Sequence, residues 1–362
     1  MRFPEFSGEW EQYRLGNLVE IRSGVSPTGV IDDEGVFPFY KVEQLNNCYI
    51  NLGTTPYMTN QSVIPANSIV FPKRGAAIMT NKIRISSKPC QIDTNLMALS
   101  IISSKEFDYK FIYYFIDLYN LSKIADTSTI PQINNIHINP LKIKIPSICE
   151  QKKISDFLSL LDDRIATQIK IIEKFESLIK GLCSSLFDKN KYDSFVRLGD
   201  ISEITNGNSD VQDASLSYSD GMYPFFDRSE DIKFLPEYLL DKEAIIYPGE
   251  GSEFYPRYYN GKFALHQRCY AIYDIAPNFA TRYLYFFCKT QNSYFVRNAV
   301  GSTVASLRLD TFKRLNIPNI PIELQKTYVQ LLDKIETKIV DNKTVLKKYE
   351  EQKRYLLSNL FI

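Results

Sequence analysis

The chain has few of the residues that metal sites, disulfide frameworks and membrane spans require. There are two histidines, His137 and His266, which argues against histidine-rich metal sites. The six cysteines are scattered and include no Cys-x-x-Cys pair, so we expect free thiols rather than a disulfide framework or a zinc knuckle. No run approaches the roughly 18 apolar residues of a membrane span, and the first residues contain no apolar leader segment. These absences predict a soluble, cytoplasmic protein.

An excess of charge of one sign is also lacking. The chain has 43 Lys and Arg against 42 Asp and Glu, a net charge of +1, so overall charge gives no sign of nucleic-acid binding. What is present is globular: 44% of the residues are apolar and 13% are aromatic. A length of 362 residues exceeds what one hydrophobic core usually fills, which predicts two domains or one domain repeated.

The chain repeats itself. Arg14-Leu15-Gly16-Asn17 recurs as Arg197-Leu198-Gly199-Asp200, at an offset of 183. Ser128-Thr129-Ile130 recurs as Ser302-Thr303-Val304 at an offset of 174, and this offset then holds without a gap to the end of each half. The N-terminal part of each half, which we call its front, therefore varies between the halves, and the C-terminal part, its back, matches. This repeat decides the architecture.

The variable fronts are predicted to be β-rich. Their β-prone runs are short and are separated by Gly and Pro, which favour turns. Late in each front, aromatic residues recur at helical spacing, at Phe107, Phe111 and Tyr114 and again at Phe279 and Tyr283. We expect these aromatic residues to form core rather than a base-stacking platform.

The matched backs are predicted to be long helices. Ser147 and Glu150 form a capping-box pattern at the start of the first helix. Apolar residues then follow a heptad spacing, and such a stripe cannot remain in water, so we expect an antiparallel coiled coil. Its seam positions are Leu158, Leu161, Ile165, Gln168, Ile172, Leu332, Ile335, Ile339, Asn342 and Leu346. Gln168 and Asn342 occupy the same heptad slot near the helix midpoints, and we expect their amides to meet.

The predicted fold class is α+β. Two β-rich domains, residues 1–146 and 191–320, are each followed by a long helix, residues 147–190 and 321–362. A direct repeat whose helices pair antiparallel has pseudo-two-fold symmetry and offers a partner two equivalent docking sites.

Motifs for catalysis are missing. There is no G-x-x-x-x-G-K-[ST] phosphate loop and no Asp/Asn-Pro-Pro motif of an amino-methyltransferase, since the chain contains no Pro-Pro at all. Gly249-Glu250-Gly251 is more typical of a turn than of a dinucleotide-binding loop. His266 stands outside any H-E-x-x-H setting and is predicted to be a surface or packed histidine. These observations favour a binding protein.

Local basic clusters lie within the fronts despite the neutral overall charge. Lysines such as Lys73, Lys82 and Lys262 suit phosphate contacts, whereas Arg, Asn and Gln can read base edges bidentately. Charge runs also commonly mark solvated surfaces. The candidate DNA-binding residues are Lys73, Arg74, Lys82, Arg84, Asn95, Arg257, Lys262, Gln267, Arg268 and Arg308. Among them, Arg74, Asn95, Gln267 and Arg268 are the candidates for base preference.

Two segments resemble a known family. The opening, from Arg2-Phe3-Pro4-Glu5-Phe6 to Leu15-Gly16, resembles the start of specificity subunits of type I restriction–modification enzymes. Glu150-Gln151-Lys152-Lys153-Ile154 resembles their central helix, and the copy from Leu324-Gln325-Lys326 their C-terminal helix. Because Leu324 replaces a glutamate in that copy, we expect contacts at the two helix starts to differ.

The resemblance covers the whole chain and implies a function. In that family, each of two target-recognition domains reads one half-site of a bipartite double-stranded DNA target, and the helix pair fixes the spacer. The subunit is not catalytic and carries no cofactor or metal of its own. Its expected partners are two modification subunits, which methylate adenine with S-adenosylmethionine, and restriction subunits, which use ATP and Mg.

Two other readings remain open from the residues. The chain could be a coiled-coil scaffold that presents two protein-binding β domains. It could also be a DNA-acting enzyme with a catalytic domain of its own, because catalytic triads need not be local in sequence.

Overall fold

The protein consists of two compact units. The structure, a computed structural model, describes residues 1–26, 36–46, 50–52, 58–59 and 63–361. The first unit comprises Met1–Lys170 and Thr344–Ile362, and the second comprises Ile171–Lys343. Each unit therefore contains one β-rich domain and a part of each long helix. Cys48 lies outside the described residues, and the five described cysteines have free thiols, as predicted.

The described residues of the first unit form three small sheets. Its strands are β1 (Glu11–Arg14), β2 (Val19–Ser23), β3 (Phe37–Tyr40), β4 (Met58–Thr59), β5 (Ile69–Pro72), β6 (Arg84–Ile85), β7 (Gln91–Ile92), β8 (Leu96–Ile101) and β9 (Lys142–Ile145). Its helices are α1 (Tyr109–Tyr119), α2 (Asn135–Ile138) and the start of α3 (Ile148–Leu186). The sheet orders are β2-β8-β5-β6, β4-β3-β7 and β1-β9, and only the β3–β7 pair among these described ladders is parallel.

The second unit contains a six-stranded sheet of order β11-β16-β14-β15-β12-β13 and a β10–β17 pair. Its strands are β10 (Phe195–Arg197), β11 (Glu203–Asn206), β12 (Tyr223–Phe226), β13 (Lys233–Leu235), β14 (Leu240–Pro248), β15 (Arg257–Leu265), β16 (Cys269–Tyr273) and β17 (Asn316–Pro318). Its helices are α4 (Leu198–Ile201), α5 (Thr281–Lys289), α6 (Asn292–Asn298), α7 (Leu309–Lys313) and the start of α8 (Ile322–Leu360). As in the first unit, one pair of strands, β12 and β15, is parallel.

The aromatic helices of the two fronts are core elements. Phe111 and Tyr114 of α1, and Tyr283 and Phe286 of α5, are at most 2% exposed. Phe107 lies outside α1, because the Asp108 side chain caps the helix by accepting the Phe111 N–H at 2.8 Å. These aromatic rings are therefore not available to stack on bases.

The two long helices run antiparallel within each unit. In the first unit, Ile154 and Leu158 near the start of α3 share a hydrophobic core with Leu356 and Leu360 near the end of α8. In the second unit, Glu176 of α3 forms an ion pair of 2.7 Å with Lys343 of α8. The α+β class and the antiparallel helix pairing are thus confirmed.

Most predicted seam positions are covered. The aliphatic residues Leu158, Leu161, Ile165, Ile172, Leu332, Ile335 and Ile339 are buried, and Leu346 is half-buried. Gln168 is buried in the first unit, whereas Asn342, in the second, is half-buried and donates to the Lys338 carbonyl at 2.6 Å. That their amides meet stays a prediction.

The start of α3 has half of the predicted capping box. The Ser147 hydroxyl accepts the Glu150 backbone N–H at 3.4 Å. The Glu150 carboxylate, however, binds the Arg2 guanidinium through two hydrogen bonds of 2.7 Å, since Arg2 is a stronger donor than a backbone amide. Leu324 occupies the corresponding position of α8, so this ion pair belongs to α3 alone.

Candidate nucleic-acid interface

A tight turn in the second unit carries two of the predicted base-reading residues. It spans His266–Cys269, joins β15 to β16, and we call it the presenting turn. The Cys269 N–H donates to the His266 carbonyl at 2.8 Å, and the His266 N–H donates to the Phe226 carbonyl at 3.0 Å. Because a further bond joins the Gln267 N–H to the Ser209 carbonyl at 3.0 Å, the backbone is fixed. The side chains of Gln267 and Arg268 are exposed at its corners.

Carboxylates from two other segments hold these side chains. Glu250 lies in the segment Pro248–Gly251, which starts at the last residue of β14 and which we call the flanking loop. Its two carboxylate oxygens accept from Nη1 of Arg268 at 2.7 and 2.9 Å, and this hydrogen bonding raises the pKa of Arg268. Asp210 accepts from Nε2 of Gln267 at 3.1 Å. Both predicted readers are therefore positioned before any ligand arrives.

The presenting turn and flanking loop line a cleft of about 550 Å³. Lys233 and Asp227 form an ion pair of 2.5 Å in its wall. Burial acts to raise the pKa of Asp227, but hydrogen bonds from Lys233 and Ser229 outweigh burial, and the pKa is lowered. The His266 ring also belongs to the turn, because its Nδ1 accepts the Arg268 N–H at 3.2 Å. His266 is thus a packed residue of the turn, as predicted.

The first unit contains the same turn. It spans Asp93–Leu96 and joins β7 to β8, and the Leu96 N–H donates to the Asp93 carbonyl at 2.8 Å. The Asp93 N–H donates to the Tyr40 carbonyl at 2.9 Å, as His266 does to Phe226 in the second unit. Asn95 therefore occupies the position of Arg268. Its amide donates to the Asp93 carboxylate at 2.8 Å, and its side chain is exposed.

The flanking loop is repeated as well, in Pro72–Gly75. Pro72 pairs with Leu96 on β8, as Pro248 pairs with Cys269 on β16. Arg74 forms a β-bridge with Gln132, as Glu250 does with Ser306. Arg74 therefore occupies the position of Glu250, so the first unit places a cation where the second places a carboxylate.

The structure thus groups the four candidates for base preference into two equivalent sites. Arg74 and Asn95 form one site, and Gln267 and Arg268 form the other. Lys73 belongs to the first, because its backbone N–H donates to the Asn95 carbonyl at 2.8 Å. Burial lowers the pKa of Lys73.

The remaining DNA-binding candidates lie outside these turns and loops. Lys82 donates to the Asn46 side chain, and Arg84 donates to the Ile83 carbonyl at 2.7 Å. Lys262 lies 4.8 Å from the Tyr238 ring centre, and Arg308 is exposed immediately before α7.

Arg257 is more deeply placed than the other candidates. It donates to the Asp227 carbonyl and packs 5.4 Å from the Phe226 ring centre. Burial lowers the pKa of Arg257. Much of its guanidinium is therefore engaged in packing the domain.

Sequence reasoning missed the holding carboxylates Glu250 and Asp210. Gly249-Glu250-Gly251 is predicted to be a turn, whereas the structure shows bends at both glycines and a β-bridge from Glu250 to Ser306. The sequence prediction gave the acidic side chain no role. A signal was present: Pro72-Lys73-Arg74-Gly75 aligns with Pro248-Gly249-Glu250-Gly251 at an offset of 176. Within the described residues there is no cluster of His, Cys, Asp or Glu that could hold a metal ion, and no helix long and apolar enough to cross a membrane.

Comparison with known families accounts for the repeated arrangement. The family described as type I restriction modification DNA specificity domain matches residues 7–177 and again residues 191–350. The chain belongs to this family. The membership confirms the predicted resemblance to specificity subunits of type I restriction–modification systems.

Relatives include two proteins of Methanocaldococcus jannaschii. The type I restriction enzyme MjaVIII specificity subunit is 26% identical over 216 residues, covering 56% of this chain and 48% of the relative. The putative type I restriction enzyme MjaX specificity subunit is 26% identical over 218 residues, covering 55% and 51%. The matches therefore span about half the length of these curated relatives.

Solved structures of low sequence identity share the fold. The crystal structure of a type I restriction–modification S subunit from M. genitalium has a TM-score of 0.70 at 17% identity, covering 100% of this chain and 99% of that one. A structure from work on assembly and conformational transition of the type I R-M system has a TM-score of 0.54 at 13% identity, covering 99% and 98%.

Proposed function

We propose that this specificity protein is a non-catalytic DNA-binding subunit that reads a bipartite target. Each unit reads one half-site, and the long helices set the spacer between them. The observation that carries the proposal is the recurrence of one rigid turn and its flanking loop in both units, with different polar side chains exposed. A scaffold that is constant and side chains that vary are what two different half-sites require.

The chemistry of these side chains suits DNA. Arginine, asparagine and glutamine each form bidentate hydrogen bonds with base edges in the major groove. Lysines such as Lys73, Lys82 and Lys262 would contact phosphates, which hold the protein in register without selecting a sequence. Because phosphate contacts release counterions, each one contributes about −0.9 to the slope of log affinity against log salt.

The expected partners follow from family membership. The chain would direct methyltransferase subunits that use S-adenosylmethionine, and restriction subunits that use ATP and Mg, to the sites it selects. It would itself hold none of these groups, and it would act in the cytoplasm, where the DNA is.

Two experiments test the proposal. Methylome sequencing of a host with and without the gene should show a bipartite methylated adenine motif that disappears with the gene. Binding of random duplex DNA to the purified chain should fall steeply with salt, and Lys262→Ala should weaken binding to all sequences alike. A methylome that does not change, together with no duplex binding at low salt, would favour a protein-binding scaffold and refute the proposal.

A further inference from the structure

We propose that the presenting turn of the second unit reads a guanine with Arg268 and a neighbouring adenine with Gln267, and that Glu250 and Asp210 are positioning residues for this readout. The inference rests on the proposed function. It goes further by assigning bases to one half-site and roles to two carboxylates.

Arg268 has one edge occupied and one edge free. Both carboxylate oxygens of Glu250 accept hydrogen bonds from Nη1 of Arg268, at 2.7 and 2.9 Å. Among the described residues, neither Nε nor Nη2 of Arg268 has a hydrogen-bond partner, so two adjacent N–H donors remain. Guanine, with O6 and N7, is the base that presents two acceptors side by side in the major groove. The free edge therefore matches guanine.

Gln267 is left with a different pattern. One N–H of its Nε2 is directed to Asp210 at 3.1 Å. The second N–H and the Oε1 acceptor stay without a partner in the part of the chain that the structure describes. One donor beside one acceptor matches N7 and the N6 amino group of adenine. Because Gln267 and Arg268 are consecutive in a tight turn, we expect the two bases to be neighbours.

Glu250 is better suited to positioning than to contacting DNA. Its side chain is 19% exposed, whereas that of Arg268 is 63% exposed, so the carboxylate lies behind the guanidinium. A fixed guanidinium loses less rotamer freedom when it forms a bidentate contact. In the first unit, Arg74 occupies the position of Glu250 and Asn95 that of Arg268, so the same pair is absent there and the half-sites should differ.

The test is selection of duplexes from a randomised library by the full chain, followed by sequencing. The variants are Arg268→Ala, Gln267→Ala, Glu250→Ala, Glu250→Gln and the double variant of Glu250→Ala with Arg268→Ala. Lys242→Ala is the matched control, because it removes an exposed ion pair of 2.8 Å, with Asp274, from the same unit.

Arg268→Ala should lower the preference for one G·C pair by about 5- to 150-fold and leave other positions unchanged. Gln267→Ala should act on the adjacent A·T pair. Glu250→Ala should act on the same G·C pair as Arg268→Ala, and the double variant should lose no more than Arg268→Ala alone, since both changes remove one interaction. Glu250→Gln keeps one acceptor oxygen and should retain part of the preference, and Lys242→Ala should retain all of it.

The possible failures are distinguishable. If the wild-type chain selects no motif, the proposed function is wrong. If it selects a motif that Arg268→Ala leaves intact, weakens uniformly, or alters at a position other than G·C, the base assignment is wrong while the proposed function stands. If Glu250→Ala changes the preference at a base pair other than the one that Arg268→Ala affects, the positioning role of Glu250 is wrong and the base assignment stands.

Discussion

Gln151 and Gln325, 174 residues apart, make the same three hydrogen bonds at the starts of the two long helices. Each side-chain oxygen accepts a backbone N–H near the start of an aromatic helix, and each side-chain amide donates to two backbone carbonyls, all at 2.9 Å. Both residues are at most 1% exposed. These glutamines therefore join each long helix to the β-rich domain before it. The helix starts differ, as expected, beside these glutamines, at Glu150 and Leu324.

Replacing Gln325 by alanine should destabilise the protein strongly. The change leaves buried backbone groups without partners, at about 1–3 kcal/mol for each group. Denaturant unfolding of the full chain measures the loss. The neighbouring change Leu324→Ala is the control: Leu324 is 39% exposed, and its loss should stay within about 0.5 kcal/mol. Equal losses from the two variants would contradict this prediction.

These glutamines show what the sequence could reveal. Heptad spacing is a local pattern, and it predicts the two long helices. The ungapped offset of 174 predicts that Gln151 and Gln325 are equivalent. The two recognition sites depend on pairing between strands far apart in sequence. Arg268 and Glu250 meet because β14 and β16 are neighbours in the sheet, and no local pattern predicts that pairing. The candidates were therefore named from residue type, but their grouping needed the structure.

The buried ion pair between Lys353 of α8 and Asp162 of α3 should couple the two helices in the first unit. The pair is 2.8 Å long, and the side chains are 13% and 1% exposed. Lys353→Met would remove the cation from the buried Asp162 carboxylate, to which Tyr114 would still donate at 2.6 Å, and should cost about 3–5 kcal/mol. Combined with Asp162→Asn, the loss should be smaller than the sum of the single losses, which a double-mutant cycle in denaturant measures. Additive losses would show that the pair is not coupled.

The stability cost of Lys353→Met should depend on pH. Burial raises the pKa of Asp162, and this effect exceeds the stabilisation of its charge by Lys353 and Tyr114. A raised pKa in the folded state means that this group favours folding below its unfolded pKa, and that the benefit is lost as pH rises through the folded pKa. Lys353→Met raises the pKa further, so its cost should shrink as the pH is lowered from about 8 to about 4. A cost that is constant over this range would contradict the assignment to Asp162.

A methyl group at Gly249 should disturb recognition at the second unit. A Cβ there would lie 2.0 Å from the Arg268 carbonyl oxygen, so the presenting turn has to move. Gly249→Ala should therefore blur the half-site of the second unit in library selection and leave the other half-site unchanged. Gly181→Ala, near the C-terminal end of α3 with open space around it, is the control and should raise stability by about 1 kcal/mol without changing the motif. An unaltered motif for Gly249→Ala would show that the turn does not read DNA.

Exchanging residues 200–301, between the Arg197-Leu198-Gly199 and Ser302-Thr303 landmarks, for the corresponding segment of another family member should change one half-site only. The exchanged segment contains the presenting turn and the flanking loop of the second unit. Gln325 and the predicted seam residues of α8 lie outside it, so the spacer should be kept. Methylome sequencing of a host that carries the exchange measures both half-sites and the spacer.

The exchanged segment contains two cations that pair with a carboxylate of α8 outside it. Lys289 of α5 pairs with Glu336 of α8 at 2.9 Å, and Arg282 pairs with the same carboxylate at 2.6 Å. Burial acts to raise the pKa of Glu336, but these cations outweigh it and the pKa is lowered. A donor segment that lacks these two cations would leave the partly buried Glu336 carboxylate uncompensated. The chain that carries such a segment should fold only when Glu336→Gln is added. With the cations kept, a change in both half-sites or in the spacer would show that the units do not read DNA independently.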